Sequence, residues 1–446
     1  MSSDTNGLDV QRDDAEAGSV IAPSMIPHDD SFSPKSPSTM EETGIERQVL
    51  SNLALKLAYS TTKFSTQWAS QQLCLPLQIV GELLDELRQD RFLEVLGQAG
   101  PFSFYYMISG AGRELAVRLM EVSGYVGPAP VSLEDYSVSL KWQMLQQTPP
   151  TSAQIKAALQ GLIIPDEAVQ IAGLALQSHR SLLLYGPPGN GKTTLGYLLH
   201  QASDDYLWIP NCIGVNDSII RVFDSECHEQ NEDDLASAMI SSIDRRWKRI
   251  RRPFIVVGGE LSIEALDLMY CNTVGYYEAP LHFKANGGTF LLDDFGCQKV
   301  APDQLLNRWI HPLERGIDFL TLKTGQQLEV PFQQMLIVST NIDPDTLMTP
   351  AFLRRMGYRL HMQDPTPHQY AHVFAKYAAG QNLNVPSNLI EQIIKRYEHD
   401  KRPMRSCEPR DLIERVKDIC RYQEQPQELS DKLVDVAWRG YFGHGH

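Results

Sequence analysis

Residues 181–199 read SLLLYGPPGNGKTTLGYLL, and the reading of this stretch decides the rest. A run of apolar residues long enough for a buried strand leads into a glycine-rich loop, and an apolar helical pattern follows. Within it, Gly186, Pro187, Pro188, Gly189, Asn190, Gly191, Lys192, Thr193 and Thr194 reproduce the G-x-x-x-x-G-K-T loop in its required strand–loop–helix setting. Glycines let successive backbone amides curl around phosphate oxygens, and the helix that follows turns its positive end towards them. Lys192 adds charge at the β- and γ-phosphates, and the Thr193 hydroxyl is placed to ligate magnesium. ATP with Mg2+ is therefore the expected cofactor.

Such a loop needs a carboxylate at the end of a neighbouring strand. Residues 288–296, GTFLLDDFG, supply Asp293 as the metal-side candidate and Asp294 as the candidate that polarises the attacking water, one methylene shorter than a glutamate. Residues 336–341, LIVSTN, end another strand-like run in Asn341, whose amide could orient that water or touch the γ-phosphate. Arg354 and Arg355 follow in PAFLRRMGYRL, and Arg410 opens a helical pattern in EPRDLIERV.

Around these motifs the chain divides into five parts. Residues 1–44 carry nine acidic residues and two basic ones, with Phe32 the single aromatic, which predicts a disordered acidic tail. Residues 45–124 predict a winged helix: helical spacing of Val49, Leu50, Leu53, Leu57 and Ala58, a second short helix, a third opened by Pro76, then the strand-like RFLEVL and FSFYYMI and a closing helix. Residues 125–150 read as a linker. At Thr151, TSAQ predicts a capping box with Gln154 and the start of an α/β nucleotide-binding domain over 151–360. Its strand-like runs are SLLLYG, YLWIP, PFIVVGG, GTFLLDD and QMLIVSTN, a pattern that predicts a parallel sheet. Residues 361–446 read as four helices of a lid.

The chain has 446 residues and a net charge of −15, which argues against a generally cationic binder of nucleic acid or anionic membrane and leaves room only for local basic patches. No stretch reaches the ~18 apolar residues of a membrane span, and the first twenty residues lack the basic and apolar blocks of a secretory signal. A cytoplasmic protein is expected. The seven cysteines are dispersed and predict reduced thiols. His179, His228, His282 and His311 show no metal spacing.

Walker A loop, hydrophobic-DD, strand-end STN, AFLRR and PRDL together resemble the AAA+ ATPase superfamily over about residues 151–446. More narrowly, GYVGPAPVSLEDY, RRPFIVVGGEL, YYEAPLHFKANGG, LLDDFG, LLNRWIHPLERGIDFLTLKTGQ and AFLRRMGYR resemble bacterial predicted ATPases with chaperone activity associated with Flp pilus assembly. Cys297 stands where that family usually has a basic residue, and Glu408 where it often has histidine. The resemblance implies an ATP-hydrolysing, oligomeric motor or remodeller, a hexameric ring being favoured, with a protein substrate or a pilus or secretion component as partner. Asn341 would be sensor 1, Arg354 or Arg355 the arginine finger reaching the neighbouring subunit's nucleotide, and Arg410 sensor 2. The alternative is a nucleic-acid-binding regulator whose winged helix sits on DNA.

Three features stay open. The bases Arg245, Arg246, Lys248, Arg249, Arg251 and Arg252 around Trp247 offer either a grip on nucleic acid or partners for the acidic run 224–234 or a neighbouring subunit. Tyr276 and Tyr277 are either a substrate-contacting loop or core. In the wing, alternation should bury about half of Phe102, Phe104, Tyr105 and Tyr106. Glu82, Asp85, Glu86 and Asp90 against Arg88 make the third helix a poor reader of DNA.

Overall fold

The structure, a computed structural model, describes residues 24–28, 31–203, 205–231 and 242–443. Its centre is a sheet of five parallel strands, Leu182–Tyr185, Phe254–Val257, Thr289–Leu292, Met335–Thr340 and Tyr358–His361. Numbered along the chain, they lie side by side in the order two, three, four, one, five. The central strands read as continuous apolar runs because both of their faces are covered. Leu182, Leu184, Leu291 and Ile337 pack on Leu176, Leu195 and Leu199 of helices Asp166–Gln177 and Lys192–Gln201. Leu183, Leu292 and Val338 face Leu305, Leu306 and Trp309 of helix Pro302–Arg315. The expected α/β class with a C-terminal helical region is what the structure has. Helices Pro367–Gly380, Leu389–His399, Glu408–Tyr422 and Asp431–Phe442 share a core of their own around Tyr370, Phe374, Tyr397 and Trp438.

Two strand assignments differ from the sequence reading. YLWIP is a strand, Tyr206–Pro210, but it pairs antiparallel with Trp247–Arg251 outside the core sheet. At Trp208 the side-chain amide of Gln143 stands in for a neighbouring strand, accepting from Trp208 N at 2.7 Å and donating to Trp208 O at 3.0 Å. An apolar run records that it is buried, not which neighbour buries it. The fifth core strand is instead YRLH, which continues the AFLRRMGYRL segment.

The expected linker is folded. Val131–Ser132 joins a second, mixed sheet with Cys212–Val215, Ser218–Arg221, Tyr276–Glu278 and Met269–Cys271, and Leu133–Gln146 forms a helix. Tyr125, Ala129, Tyr136 and Leu140 are buried, so the glycines and prolines there shape a packed segment. The expected disordered tail is also partly folded. Residues 1–23, 29 and 30 lie outside the described residues, but Met25–His28 and Ser31–Pro34 form a hairpin. Phe32 meets Trp142 edge-on at 4.7 Å, Trp208 Nε1 donates to Phe32 O at 2.8 Å, and Met40 is buried. The segment supplies little apolar surface of its own and borrows it from the body of the protein.

Residues 47–122 show the expected sequence of elements: helices Arg47–Tyr59, Thr66–Leu73 and Leu77–Gln89, hairpin strands Leu93–Gly100 and Ser103–Ile108, and helix Gly110–Val122. Leu50, Leu53, Ile79, Leu83 and Leu84 make its core. Of the four hairpin aromatics only Tyr106 is buried, whereas Phe102 is 88% exposed and Phe104 and Tyr105 are exposed too. Alternation does not bury half of them; the hairpin is irregular, with register shifts at Val95/Gly97 and Gln98/Gly100 that break the strict two-residue period on which the expectation rests.

Among the described residues no helix is long and apolar enough to cross a membrane. All seven cysteines are free thiols.

Candidate functional site

Strand four lies between strands one and three, and this order assembles the site. The glycine loop follows strand one, Asp293 and Asp294 follow strand three, and Asn341 follows strand four, so all three arrive at the carboxyl edge of the sheet side by side. Strand one is also where the chain order reverses, the place where open α/β sheets bind ligands.

The loop backbone is shaped by glycines that admit no side chain. Gly186 has φ 132°, and a Cβ there would lie 2.4 Å from Met362 O; Gly189 has φ 83°, and a Cβ would lie 2.6 Å from Cys407 Sγ. Gly191 caps helix Lys192–Gln201. Lys192 is buried, and its Nζ donates to Gly186 O at 2.9 Å, Pro187 O at 3.0 Å and Asn341 Oδ1 at 2.6 Å. Burial pulls its pKa below the usual lysine range, while Asp294 and Asp293 oppose that shift.

Asn341 then donates through Nδ2 to Asp294 Oδ1 at 2.9 Å. Lys192, Asn341 and Asp294 thus form one chain of hydrogen bonds, and the strand-end asparagine fixes both neighbours. Asp294 itself has φ 47°, a left-handed conformation that aspartate tolerates better than most residues. Thr193 Oγ1 donates to Asp293 Oδ2 at 2.7 Å.

These residues border a cavity of about 670 Å³, a size suited to a small-molecule ligand. Leu162, Ile163 and Val373 contribute apolar wall, and Arg410 lines it from the helical region. The Arg410 side chain is exposed and paired with Asp411 at 3.0 Å. The constricted glycine loop, the buried cation and the paired hydroxyl and carboxylate fit a nucleotide triphosphate with a divalent ion. Thr193 and Asp293 would hold that ion. Among the described residues no cluster of three or more His, Cys, Asp or Glu side chains is arranged to bind a metal without a ligand's help.

Arg354 and Arg355 do not join this cavity. They line a separate one with Arg180 and Gln334 near the opposite, amino-terminal edge of the sheet. Arg355 is paired with Glu314, whereas exposed Arg354 has no ion pair among the described residues.

Sequence reasoning missed the connection between the loop and the helical region. Asn190 is 3% exposed, its Nδ2 donates to Asp364 Oδ1 at 2.8 Å, and its Oδ1 accepts from Ser406 N at 3.1 Å. Arg405 pairs with Asp364, and Cys407 N donates to Gly189 O at 2.9 Å. The signal was available in RSCE, residues 405–408, directly before the PRDL motif. Glu408 is buried, accepting from Tyr397 OH at 2.7 Å and Arg405 N at 2.8 Å, and burial raises its pKa against those hydrogen bonds. Cys297 is exposed.

The remaining open features divide: Arg246, Trp247, Arg252 and Tyr277 are buried, Lys248, Arg249 and Tyr276 are half-buried, and Arg245 and Arg251 are exposed. Arg246 is buried, bound to Asp244 at 2.8 Å and donating to Thr43 O at 2.7 Å and Pro130 O at 3.0 Å. Arg252 pairs with Asp205, Arg251 lies 3.7 Å from Glu229, Arg249 stands over the Tyr206 ring, and Trp247 is buried. Tyr277 is buried and its hydroxyl accepts from Lys323 N at 3.0 Å; Tyr276 meets Tyr125 edge-on at 5.5 Å.

Residues 366–440 match the family described as Domain of unknown function (DUF8689). No curated protein matches the chain. Among solved structures, the chain is similar to the Thermotoga maritima RuvB Holliday junction branch migration motor, at 15% identity over 62% of this chain and 70% of that one, with a TM-score of 0.37. It is also similar to NtrX from Brucella abortus in complex with ATP, at 13% identity over 72% of this chain and 62% of that one, with a TM-score of 0.38.

Proposed function

We propose that this protein is an ATP-binding and ATP-hydrolysing AAA+ enzyme that works as an oligomeric ring, a hexamer being favoured, to remodel a protein partner. The observation that carries the reading is the chain Lys192–Asn341–Asp294 beside the pair Thr193–Asp293, all at the carboxyl edge of three adjacent strands. The loop amides and Lys192 bind the phosphates, and Arg410 closes over them from the helical region. Asp294 orients the attacking water and takes its proton, with Asn341 holding the carboxylate in place. Thr193 and Asp293 would hold magnesium, whose charge would screen the phosphates. Arg354 or Arg355 serves the neighbouring subunit's nucleotide, which agrees with their absence from the lining of the Lys192 cavity in their own chain.

Residues 47–122 act in this reading as a winged helix that binds protein. Helix Leu77–Gln89 carries Glu82, Asp85 and Glu86 against Arg88, which opposes docking on a polyanion. A DNA-dependent regulator remains the second reading, with less support now that Arg246 and Arg252 are committed inside the protein. A role in pilus assembly or secretion rests on the family resemblance, and a cytoplasmic location on the sequence's lack of an apolar span and of a secretory signal.

Phosphate release by the full chain tests the proposal. Turnover of ATP that requires Mg2+ and disappears in Lys192→Ala supports it; no turnover under any condition removes the enzyme. Stimulation by duplex DNA with a steep salt dependence would promote the regulator.

A further inference from the structure

The glycine loop has two faces. Pro188, Gly189, Gly191 and Lys192 line the cavity, whereas the Gly189 carbonyl and the Asn190 side chain are taken up by hydrogen bonds to the chain around residues 364 and 406–407. Cys407 N donates to Gly189 O, Ser406 N donates to Asn190 Oδ1, and Asn190 Nδ2 donates to Asp364 Oδ1. Asp364, just after the fifth core strand, also pairs with Arg405. Arg405 N in turn donates to the buried carboxylate of Glu408, the first residue of helix Glu408–Tyr422. Arg410 lies two residues further along and lines the cavity.

The geometry points to Asn190, Asp364 and Arg405 as positioning residues, a clasp that sets the helix carrying Arg410 according to the state of the phosphate-binding loop. This rests on the nucleotide reading above and deepens it. Asn190 is suited to the task because its amide presents a donor and an acceptor at once, one for a carboxylate and one for a backbone N–H. Buried as it is, neither bond can be replaced by water without opening the contact, so the loop and the helix start move together. Arg405 and Ser406 share the segment that enters the helix, so a shift at Asn190 is carried to Arg410 by fewer than two helical turns of rigid backbone.

The predicted consequence separates the clasp from substrate binding. Two lost hydrogen bonds should lower kcat roughly tenfold to a hundredfold while KM for ATP changes little, because Arg410 is displaced from the developing phosphoryl charge and the loop amides are not. The experiment compares wild type, Asn190→Ala, Asn190→Asp, Asp364→Asn and the double variant Asn190→Asp/Asp364→Asn in the full chain. Each is measured for kcat and KM and for amide hydrogen exchange with and without ATP. Wild type should gain protection over residues 186–194 and over 405–412. Asn190→Ala should keep the first and lose the second. Asn190→Asp sets two carboxylates against each other, and the double variant restores an amide–carboxylate pair with the roles exchanged, so it should recover kcat and the 405–412 protection relative to Asn190→Asp. Protection of 405–412 that persists in Asn190→Ala with unchanged kcat overturns the clasp, as does a double variant no better than the singles. A wild-type chain in which neither segment responds to ATP overturns the nucleotide reading and the clasp with it.

Discussion

The hydroxyl of Thr193 donates to Asp293 Oδ2 at 2.7 Å although 100 residues of chain separate them. Strands one and three are not neighbours; strand four fills the gap and brings Asn341 between Lys192 and Asp294. The first prediction follows from that division. Lys192→Ala should lose nucleotide affinity, whereas Asp294→Asn should bind normally and turn over about 10²- to 10⁴-fold more slowly. Titration with a fluorescent nucleotide and steady-state phosphate release check both, and undiminished turnover in Asp294→Asn removes that residue from the mechanism.

Arg354 and Arg355 open on a different cavity from Lys192. Chains carrying Lys192→Ala should therefore complement chains carrying Arg354→Ala/Arg355→Ala, since a mixed interface rebuilds one complete site. Activity per chain should also rise with protein concentration. Recovery of no activity on mixing, with concentration-independent turnover in wild type, would favour a monomeric ATPase.

Arg246 ties three segments together through Asp244 and the carbonyls of Thr43 and Pro130. Arg246→Ala leaves the Asp244 carboxylate buried without its cation and should cost about 3–5 kcal/mol of stability. Arg246→Met/Asp244→Leu should regain a large part of that loss. Denaturant titrations measure both; a single variant within about 0.5 kcal/mol of wild type would show that the contact is not closed in solution.

Lys56 is buried and donates to Ser123 O at 2.9 Å, and burial lowers its pKa from an ordinary 10.5 to about 8. Because the folded value lies below the unfolded one, this residue's contribution is fully present above the unfolded pKa and declines as pH falls towards the folded pKa. Between pH 10.5 and about 8, wild type should lose stability relative to Lys56→Met by up to about 3 kcal/mol, and the difference should be constant below. Paired unfolding curves across that range test it; parallel profiles would mean that the ammonium reaches water in the folded state.

What the sequence by itself determined is local. The glycine loop, the paired aspartates after an apolar run, the capping box at Thr151 and Gln154, and the four C-terminal helices are patterns closed within a few residues, where backbone sterics and periodicity act. The capping box is present as read, with Thr151 N donating to Gln154 Oε1 at 2.8 Å. Only the tertiary structure decided partners. YLWIP is equally apolar whether its neighbour is a core strand or Trp247–Arg251. The residues 125–150 and 31–44 look dispensable until Trp142, Trp208 and Arg246 are packed against them. Arg246 and Arg252 read as members of a basic run open to nucleic acid, the acidic run 224–234 or a neighbouring subunit until Asp244 and Asp205 stand beside them, and Asn190 reads as one more loop residue until Asp364 and Ser406 arrive from far along the chain. The physical reason is the same in each case: burial and hydrogen-bond satisfaction depend on a partner and its surroundings, and these are set by how the segments pack together.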